Sequence, residues 1–343
     1  MGGERVLVTG GNGFVAGYCI RRLLDAGYRV RTTVRSPAGQ APLRAALAPD
    51  GAGPGAPLSV VQADLTSDAD WPRAVAGCDF VLHVASPLTP NAPGDESELI
   101  APAREGTLRV LRAARRAGVR RVVLTSSFAA VGYGIPMKGR AFTESDWTDV
   151  GAPAISAYAK SKTLAERAAW DFAASSEGAG MELATVNPVG VFGPVTGGKF
   201  PRSVDSIRHM MCGAYRGLSN LSFGVVDVRD VADLHVRAMT GPQAAGERFL
   251  AVAGDFVSMK DVALLLRERL GDAAWRVPAH VLPDNLVNSD AMTLEYLGKI
   301  KNATSEKAQR MLGWAPRPWD ETIVSTARSL MGLGLLRDSF EPA

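Results

Sequence analysis

Cysteines are few in this 343-residue chain and its net charge is low, which excludes several classes of protein. Cys19, Cys78 and Cys212 are too widely spaced for a disulfide framework or a thiolate metal site, and such usage is typical of a reducing cytosol. A net charge of +3 is small for this length, whereas a dedicated nucleic-acid-binding protein would carry a basic run or face. We therefore expect a cytoplasmic protein that does not bind nucleic acid.

Long apolar runs are also missing. No uninterrupted apolar stretch approaches the length of a membrane span, and the N-terminus enters a strand pattern without a charged and then apolar leader. Hydrophobic residues nevertheless make up 46% of the chain and charged residues 21%, a balance typical of a globular protein rather than a disordered one. The chain is long enough for one large domain or two joined ones, and no contact with a membrane is expected.

The first seventeen residues carry the clearest motif. Residues 4–9 are predicted to form a buried strand, 10–17 a glycine-rich turn, and a helix follows to about Ala26. Gly10 permits the tight turn, Gly13 lets the backbone approach phosphates, and Ala16 lets helix and strand pack closely. A helix N-terminus after such a turn offers unpaired N–H groups to an anion, which predicts a dinucleotide pyrophosphate site. The alternative is an ordinary strand-to-helix turn whose glycines serve only steric needs.

The end of the second predicted strand, residues 28–34, indicates which nicotinamide cofactor binds. A Rossmann fold reads the adenosine ribose here, with an acidic residue for NAD or an arginine for the 2′-phosphate of NADP. This chain has Arg35 and no acid, which favours NADP; the alternative is a surface arginine without a ligand. After the third strand, Asp64 either accepts from the adenine amino group, with Leu65 against the ring, or caps a helix beginning near Asp68.

Strand and helix patterns alternate along most of the chain, which predicts an α/β fold with a doubly wound parallel sheet. Further strands are predicted at 58–62, 79–84, 120–124, 181–186 and 247–252, and helices at 40–47, 96–117, 155–175, 261–270 and 305–312. His83 lies in a strand without a partner at metal-ligand spacing, so we expect a packed structural histidine and no metal site.

The pattern becomes irregular after residue 186, and it predicts two parts. Residues 1–186, joined by about 222–252, are expected to form a Rossmann domain that binds NADP. Residues 187–221 and 253–343 are expected to form a smaller α/β lid on the substrate side. Residues 223–231 are the segment in which the chain is expected to return to the first domain.

Tyr158 and Lys162 stand four residues apart in a predicted helix and therefore share one face. A phenol titrates near pH 10, and a nearby ammonium lowers that pKa, so we expect Lys162 to favour proton donation by Tyr158. Ser127, at the end of a strand about thirty residues upstream, is placed to donate a hydrogen bond to the same carbonyl oxygen. The alternative for the tyrosine–lysine pair alone is a surface pair.

Taken together, these motifs resemble the extended short-chain dehydrogenases/reductases over nearly the whole chain. Within them the chain is similar to the dihydroflavonol 4-reductase-like group, which includes NADPH-dependent carbonyl, aldehyde and methylglyoxal reductases. The resemblance rests on residues 8–16 (VTGGNGFVA), 33–35, 83–87 (HVASP), 125–131 (TSSFAAV), 158–166 (YAKSKTLAE), 186–188, 192–194, 227–232 (DVRDVA) and 306–314.

The resemblance implies roles for individual residues. Ser127, Tyr158 and Lys162 match the catalytic triad, with the second serine of the pair at the catalytic position. The positions that match the cofactor-lining residues are Gly10, Gly13, Phe14, Val15, Arg35, Asp64, Leu65, Ala85, Thr125, Tyr158, Lys162, Pro188 and Val191.

Two positions depart from the group. Arg109 replaces the asparagine that usually follows two residues after the Thr107 position, which removes a polar tether of the central helix. Gly132-Tyr133 stands where plant dihydroflavonol reductases place an asparagine or aspartate that grips the flavonoid ring. A flavonoid substrate is therefore not expected.

The sequence as a whole predicts NADPH-dependent, reversible reduction of an aldehyde or ketone. The substrate is expected between residues 86–93, 131–138 and 192–211, and their few charges favour a small, neutral, moderately hydrophobic molecule. One alternative is a nucleotide-sugar epimerase or dehydratase that retains NAD, against which Arg35 and the lack of a basic diphosphate cluster argue. The other is a non-catalytic NADP-sensing protein. The oligomeric state, monomer or dimer, stays open.

Overall fold

The computed structural model describes residues 3–47, 56–87, 95–137, 139–289 and 291–336. Strands are β1 Arg5–Val8, β2 Arg29–Val34, β3 Leu58–Gln62, β4 Phe80–His83, β5 Arg121–Thr125, β6 Glu182–Pro188, β7 Gly190–Phe192, β8 Ser222–Phe223, β9 Val225–Asp227, β10 Arg248–Ala251 and β11 Val257–Ser258. Helices are α1 Phe14–Asp25, α2 Gln40–Leu47, α3 Trp71–Val75, α4 Ser97–Arg116, α5 Ala157–Ala174, α6 Arg202–Cys212, α7 Val228–Thr240, α8 Met259–Leu270, α9 Ala291–Glu295, α10 Glu306–Leu312 and α11 Trp319–Gly332. Short 3₁₀ turns lie at Pro37–Gly39, Phe128–Ala130, Pro242–Ala244, Gly271–Ala274 and Asp284–Leu286.

A parallel sheet organises the molecule. Across the described residues its seven strands run in the order β3, β2, β1, β4, β5, β6, β10, and every neighbouring pair is parallel. The carboxyl ends of all these strands therefore meet at one edge. The strand order reverses between β1 and β4, where doubly wound sheets bind their ligands. The predicted fold class is confirmed.

Both faces of the sheet are covered, which explains why its strands read as continuous apolar runs. Val6 and Val8 point to one face and join the core formed with α1 and α7. Leu7, between them, points to the other face and packs with residues of α3, α4 and α5. This alternation follows from the two-residue repeat of side chains along a strand.

A second apolar core lies outside the main sheet, built from β7, α6, α8 and α11. The two small sheets of this region pair β7 with β9 in parallel and β8 with β11 in antiparallel. Helices α6 and α11 were not predicted. In α11 the fully buried positions include Thr322 and Thr326, whose hydroxyls are satisfied by carbonyls one turn back, so the apolar repeat is interrupted by polar residues.

The chain does return to the first core after residue 222. Helix α7 packs in the same cluster as α1, and β10 adds to the edge of the sheet beside β6. Two details of the strands in this region differ from the prediction. Strand β6 continues to Pro188, because Ala251 of β10 pairs with that residue, and β8 and β9 pair outside the main sheet.

Within the described ranges, no helix has both the length and the apolar character needed to cross a bilayer. In the same residues, no group of three histidine, cysteine, aspartate or glutamate side chains is arranged to hold a metal ion. Cys19, Cys78 and Cys212 are all free thiols.

Candidate active site and cofactor crevice

The start of α5 positions Tyr158 and Lys162. Ser156 caps this helix by accepting a hydrogen bond from the Ala159 N–H at 3.2 Å, which sets the helix to begin at Ala157. Tyr158 consequently lies in the first turn, 39% exposed, and Lys162 lies one turn later with only 9% of its surface exposed. The two side chains share the face of α5 that is directed toward the carboxyl edge of the sheet.

Ser127 reaches the same place from the sheet. Strand β5 ends at Thr125, and Ser127 caps the 3₁₀ turn Phe128–Ala130 by accepting from the Ala129 N–H at 3.1 Å. Its hydroxyl also interacts with the Tyr158 phenol and lowers the pKa of that phenol. Because the Ala129 N–H supplies a donor to the serine oxygen, the serine O–H is left to donate to the phenol or to a carbonyl oxygen.

The structure distinguishes the two adjacent serines. Ser126 is buried, and its hydroxyl donates to the Glu166 carboxylate at 2.5 Å. Ser127 is the one that meets Tyr158. This arrangement supports the choice of Ser127 over Ser126 as the catalytic position.

The charge states differ from the expectation. Burial raises the pKa of the Tyr158 phenol, which the hydrogen bond with Ser127 partly offsets, and its exposed fraction lets solvent weaken the burial effect. The predicted lowering of this pKa by Lys162 is wrong, because burial raises it. The Lys162 ammonium donates instead to the Thr125 carbonyl at 3.3 Å. Burial lowers the pKa of Lys162 itself to about 8, against the opposing effect of Glu166.

The glycine turn has the shape that the sequence predicted. Gly10 has a φ of +73°, and a Cβ there would lie 2.9 Å from the Ala85 Cβ, so only glycine fits. Gly13 precedes α1 and has no side chain to cap it, which leaves the first N–H groups of the helix directed into the crevice. Phe14 and Val15 open that helix, with Phe14 packed against the second core.

Residues at the carboxyl ends of β1, β4 and β6 lie at the same edge of the sheet as the glycine turn. The Ala85 N–H donates to the Thr9 hydroxyl at 2.9 Å, and that hydroxyl also bonds the His83 Nδ1 at 2.9 Å. His83 is packed in the interior, as expected, and burial lowers its pKa to about 3. Pro188 ends β6 at the same edge of the sheet, and Val191 follows in β7.

His235 fixes the orientation of the Thr125 hydroxyl. The His235 Nδ1 lies 2.7 Å from the Val231 carbonyl, which can only accept, so this nitrogen carries the proton. The other ring nitrogen of His235 therefore accepts from the Thr125 hydroxyl, also at 2.7 Å. Burial lowers the pKa of His235 to about 4, so the ring stays neutral and keeps this orientation.

Arg35 and Asp64 follow the ends of β2 and β3, where the sequence predicts the adenosine half of the cofactor. Arg35 is exposed at the end of β2, and its carbonyl accepts from the Gln62 amide at 3.2 Å. Asp64 accepts from the Thr66 N–H and hydroxyl, both at 2.8 Å, and these bonds keep its pKa low. The helix-capping alternative for Asp64 is wrong, because α3 begins only at Trp71. Contact of Asp64 and Leu65 with adenine stays a prediction.

Sequence reasoning missed the buried partners beneath the site. Glu166 continues the Tyr158–Lys162 face one turn further and is fully buried, together with Asn187. Arg248 pairs with Glu166 from the far edge of the sheet at 2.7 Å. The sequence did offer a signal for this buried carboxylate. Glu166 stands among the alanines 165, 168 and 169 of a helix that packs against its neighbours.

Comparison with known proteins places this geometry in context. The model of the NAD dependent epimerase/dehydratase family matches residues 6–252. The chain is 34% identical over 333 residues to the cinnamoyl-CoA reductase CAD2 of Medicago truncatula, covering 96% of each chain. It is 35% identical over 351 residues to the ketoreductase azaE of Aspergillus niger, covering 96% of this chain and 98% of that one. The structure of the yeast methylglyoxal/isovaleraldehyde reductase Gre2 with NADPH superimposes with a TM-score of 0.81 at 28% identity, covering 97% and 100%.

Proposed function

Because this chain belongs to the NAD-dependent epimerase/dehydratase family and is an extended short-chain dehydrogenase/reductase, we propose that it reduces an aldehyde or ketone with NADPH. Family membership confirms the predicted oxidoreductase class and nicotinamide cofactor. The observation that carries the finer proposal is the convergence of Ser127, Tyr158 and Lys162 beside the glycine turn.

The residues of the crevice fit a dinucleotide. Gly10 brings the backbone close to Ala85, and the uncapped start of α1 presents N–H groups to a pyrophosphate. Arg35 is exposed at the end of β2, where a Rossmann fold reads the adenosine ribose, and an arginine there supports NADPH over NADH. NADPH, when bound, supplies a hydride to the carbonyl carbon.

The side chains then handle the oxygen of the substrate. Tyr158, whose raised pKa keeps it protonated near neutrality, donates its proton to the carbonyl oxygen. Ser127 donates a hydrogen bond to the same oxygen and stabilises its developing charge. Lys162 holds its ammonium at the Thr125 carbonyl, within the crevice where a ribose hydroxyl would bind.

The substrate side is proposed to comprise residues 187–221 and 253–343 together with the loop after Ser127. Of the three predicted substrate segments, residues 88–93 and residue 138 lie outside the described residues. In the remainder, Tyr133, Ile135 and the exposed Met137 provide an apolar wall after Ser127, which supports a neutral, moderately hydrophobic carbonyl compound. The relatives are named as a cinnamoyl-CoA reductase, a ketoreductase and a methylglyoxal/isovaleraldehyde reductase, which supports a carbonyl substrate for this chain.

The test is NADPH oxidation, followed by absorbance against a panel of aldehydes and ketones, with NADH in parallel. We expect turnover with NADPH and much less with NADH. Tyr158→Phe should lose at least a hundredfold in kcat and keep its NADPH affinity, since general acid catalysis contributes about 10²–10⁴-fold. Tyr28→Phe removes the same atom at the opposite edge of the sheet and should behave as wild type.

Two results would contradict the proposal. Retained turnover in Tyr158→Phe would reject Tyr158 as the proton donor. Absence of NADPH oxidation with every carbonyl compound, combined with conversion of a nucleotide sugar without net cofactor turnover, would favour an epimerase or dehydratase.

A further inference from the structure

A fully buried carboxylate lies directly beneath the proposed catalytic residues. Glu166 accepts hydrogen bonds from the Ser126 hydroxyl at 2.5 Å and from the Asn187 amide at 2.7 Å. The Arg248 guanidinium adds an ion pair at 2.7 Å, and the Thr185 hydroxyl and Trp170 indole donate at 3.1 and 3.3 Å. A buried charge is tolerated only when it is paired and hydrogen-bonded to this extent, so the site is built around the carboxylate.

Two of these bonds lead to the backbone of Ser127. Ser126 is the preceding residue, and its hydroxyl is fixed by the carboxylate. The Asn187 amide that bonds the carboxylate also donates to the Ser127 carbonyl at 3.3 Å. Glu166 consequently holds the chain on both sides of the Ser127 side chain.

Arg248, which pairs with the Glu166 carboxylate, is fixed by contacts away from Ser127 and Tyr158. Arg248 donates to the carbonyls of Glu144 and Asp146 as well as to Glu166. The Trp147 ring covers its guanidinium at 3.7 Å. These contacts fix Arg248 on β10, so Glu166 is held between two rigid elements and not by a mobile surface group.

Glu166 also borders the lysine. Lys162 and Glu166 line the same small cavity of about 10 Å³, which lies between α4, α5 and the ends of β4 and β5. The two side chains are one turn apart on α5, and Glu166 raises the pKa of Lys162 against the lowering caused by burial.

We propose that Glu166 is a positioning residue for the reduction. It holds the Ser126 hydroxyl and, through Asn187, the Ser127 carbonyl, so that the Ser127 hydroxyl keeps its place against Tyr158 and the substrate oxygen. This inference rests on the proposed function. Because Glu166 acts on the geometry of the chemical step, its replacement should lower kcat and leave NADPH binding nearly unchanged.

The test is Glu166→Gln, assayed with the best carbonyl substrate of the panel. We expect kcat to fall by about 10- to 100-fold, since small misplacements of reacting groups have effects of this size. The KM and the Kd for NADPH should stay within about twofold of wild type, because the glycine turn and Arg35 are untouched. A melting curve verifies that the variant is folded.

Glu182→Gln is the matched control. Glu182 also pairs with a buried arginine, Arg121, at 2.7 Å, and Arg121 is likewise held by backbone carbonyls. This pair lies at the amino ends of β5 and β6, on the opposite edge of the sheet from Ser127. The kcat of Glu182→Gln should match that of wild type.

A double variant separates positioning from general damage. In the Ser127→Ala background, Glu166→Gln should cause no further loss of the residual kcat, because the group it positions has been removed. Losses that multiply would overturn the proposal, as would a Glu166→Gln variant with normal kcat. If Glu166→Gln does not fold, Ser126→Ala removes the 2.5 Å bond and keeps the buried Glu166 carboxylate paired with Arg248. Its loss of kcat should likewise vanish in the Ser127→Ala background, and a loss that persists there would overturn the proposal.

The outcomes distinguish the role of Glu166 from the reductase activity itself. Normal kcat in Glu166→Gln, with Ser127→Ala inactive, rejects the role of Glu166 and leaves the reductase proposal standing. A wild-type protein without turnover on any carbonyl substrate rejects both.

Discussion

Arg109 makes two specific contacts in this structure. On α4 its Nε donates to the Asp68 carboxylate at 2.6 Å, and its Nη1 donates to the Leu65 carbonyl at 2.8 Å. Gly106, one turn earlier on α4, leaves room for Leu65, since a Cβ there would lie 2.9 Å from the Leu65 Cβ. Helix α4 therefore holds the loop that carries Asp64 and Leu65, the residues expected at adenine.

The size of the effect follows from these two contacts. Asp68 is 83% exposed, so its ion pair contributes at most about 1 kcal/mol. The bond to the Leu65 carbonyl is partly buried and has a charged donor, a class worth about 1.5–3 kcal/mol. Taking the lower end, because part of the loop order returns when the cofactor binds, gives roughly 1.5 kcal/mol. That corresponds to about a tenfold weaker Kd for NADPH.

The perturbation is Arg109→Met, which keeps most of the apolar stem and removes both bonds. We expect the Kd and KM for NADPH to rise about tenfold with kcat nearly unchanged, measured by fluorescence titration and steady-state kinetics. Reduced nicotinamide mononucleotide, which lacks the adenosine half, should be used equally well by wild type and variant. Arg112→Met is the control, since Arg112 lies on the same helix and pairs with Glu177 at 3.5 Å, away from the loop.

An unchanged Kd for NADPH in Arg109→Met would refute this reasoning. An equal loss with the mononucleotide would also refute it, because the damage would then not be confined to the adenosine side.

Two further predictions concern charge. Arg35→Ser should raise the KM for NADPH about tenfold and leave the KM for NADH within about twofold of wild type. Parallel assays with the two cofactors measure this difference. Equal effects on both KM values would show that Arg35 does not contact the 2′-phosphate. Burial lowers the pKa of Lys162 and of Lys301 to about 8, and the Lys301 ammonium lies over the Tyr296 ring at 3.8 Å. Between pH 8 and about 10.5 the unfolded chain binds more protons than the native protein, so the free energy of unfolding rises with pH, by up to about 3 kcal/mol for each lysine. Urea unfolding from pH 7 to 10 measures this rise, and Lys301→Met should remove about half of it; an identical slope in the variant would contradict the assignment.

Several features could be read from the sequence because the relevant contacts are local. The turn at Gly10 needs positive φ and close backbone approach, both properties of a single position. Tyr158 and Lys162 share a helix face because of their spacing alone. The alternation of apolar strands and amphipathic helices likewise predicted the parallel sheet, which brings the ends of β1, β4 and β5 to one edge.

Other features depended on which distant residues meet. Its place at a strand end and the family resemblance both indicated Ser127. The sequence could not show that Ser126 donates to a buried Glu166 forty residues later, or that Arg248, eighty-two residues after Glu166, pairs with that carboxylate. It could not show that Lys162 donates to the Thr125 carbonyl, or that burial raises the pKa of Tyr158. Local spacing determines the face on which a side chain lies, whereas hydrogen-bond partners and burial depend on the packing of elements far apart in the chain. For this protein, sequence alone therefore determined the fold and the candidate reactive groups, and tertiary structure decided their partners and charge states.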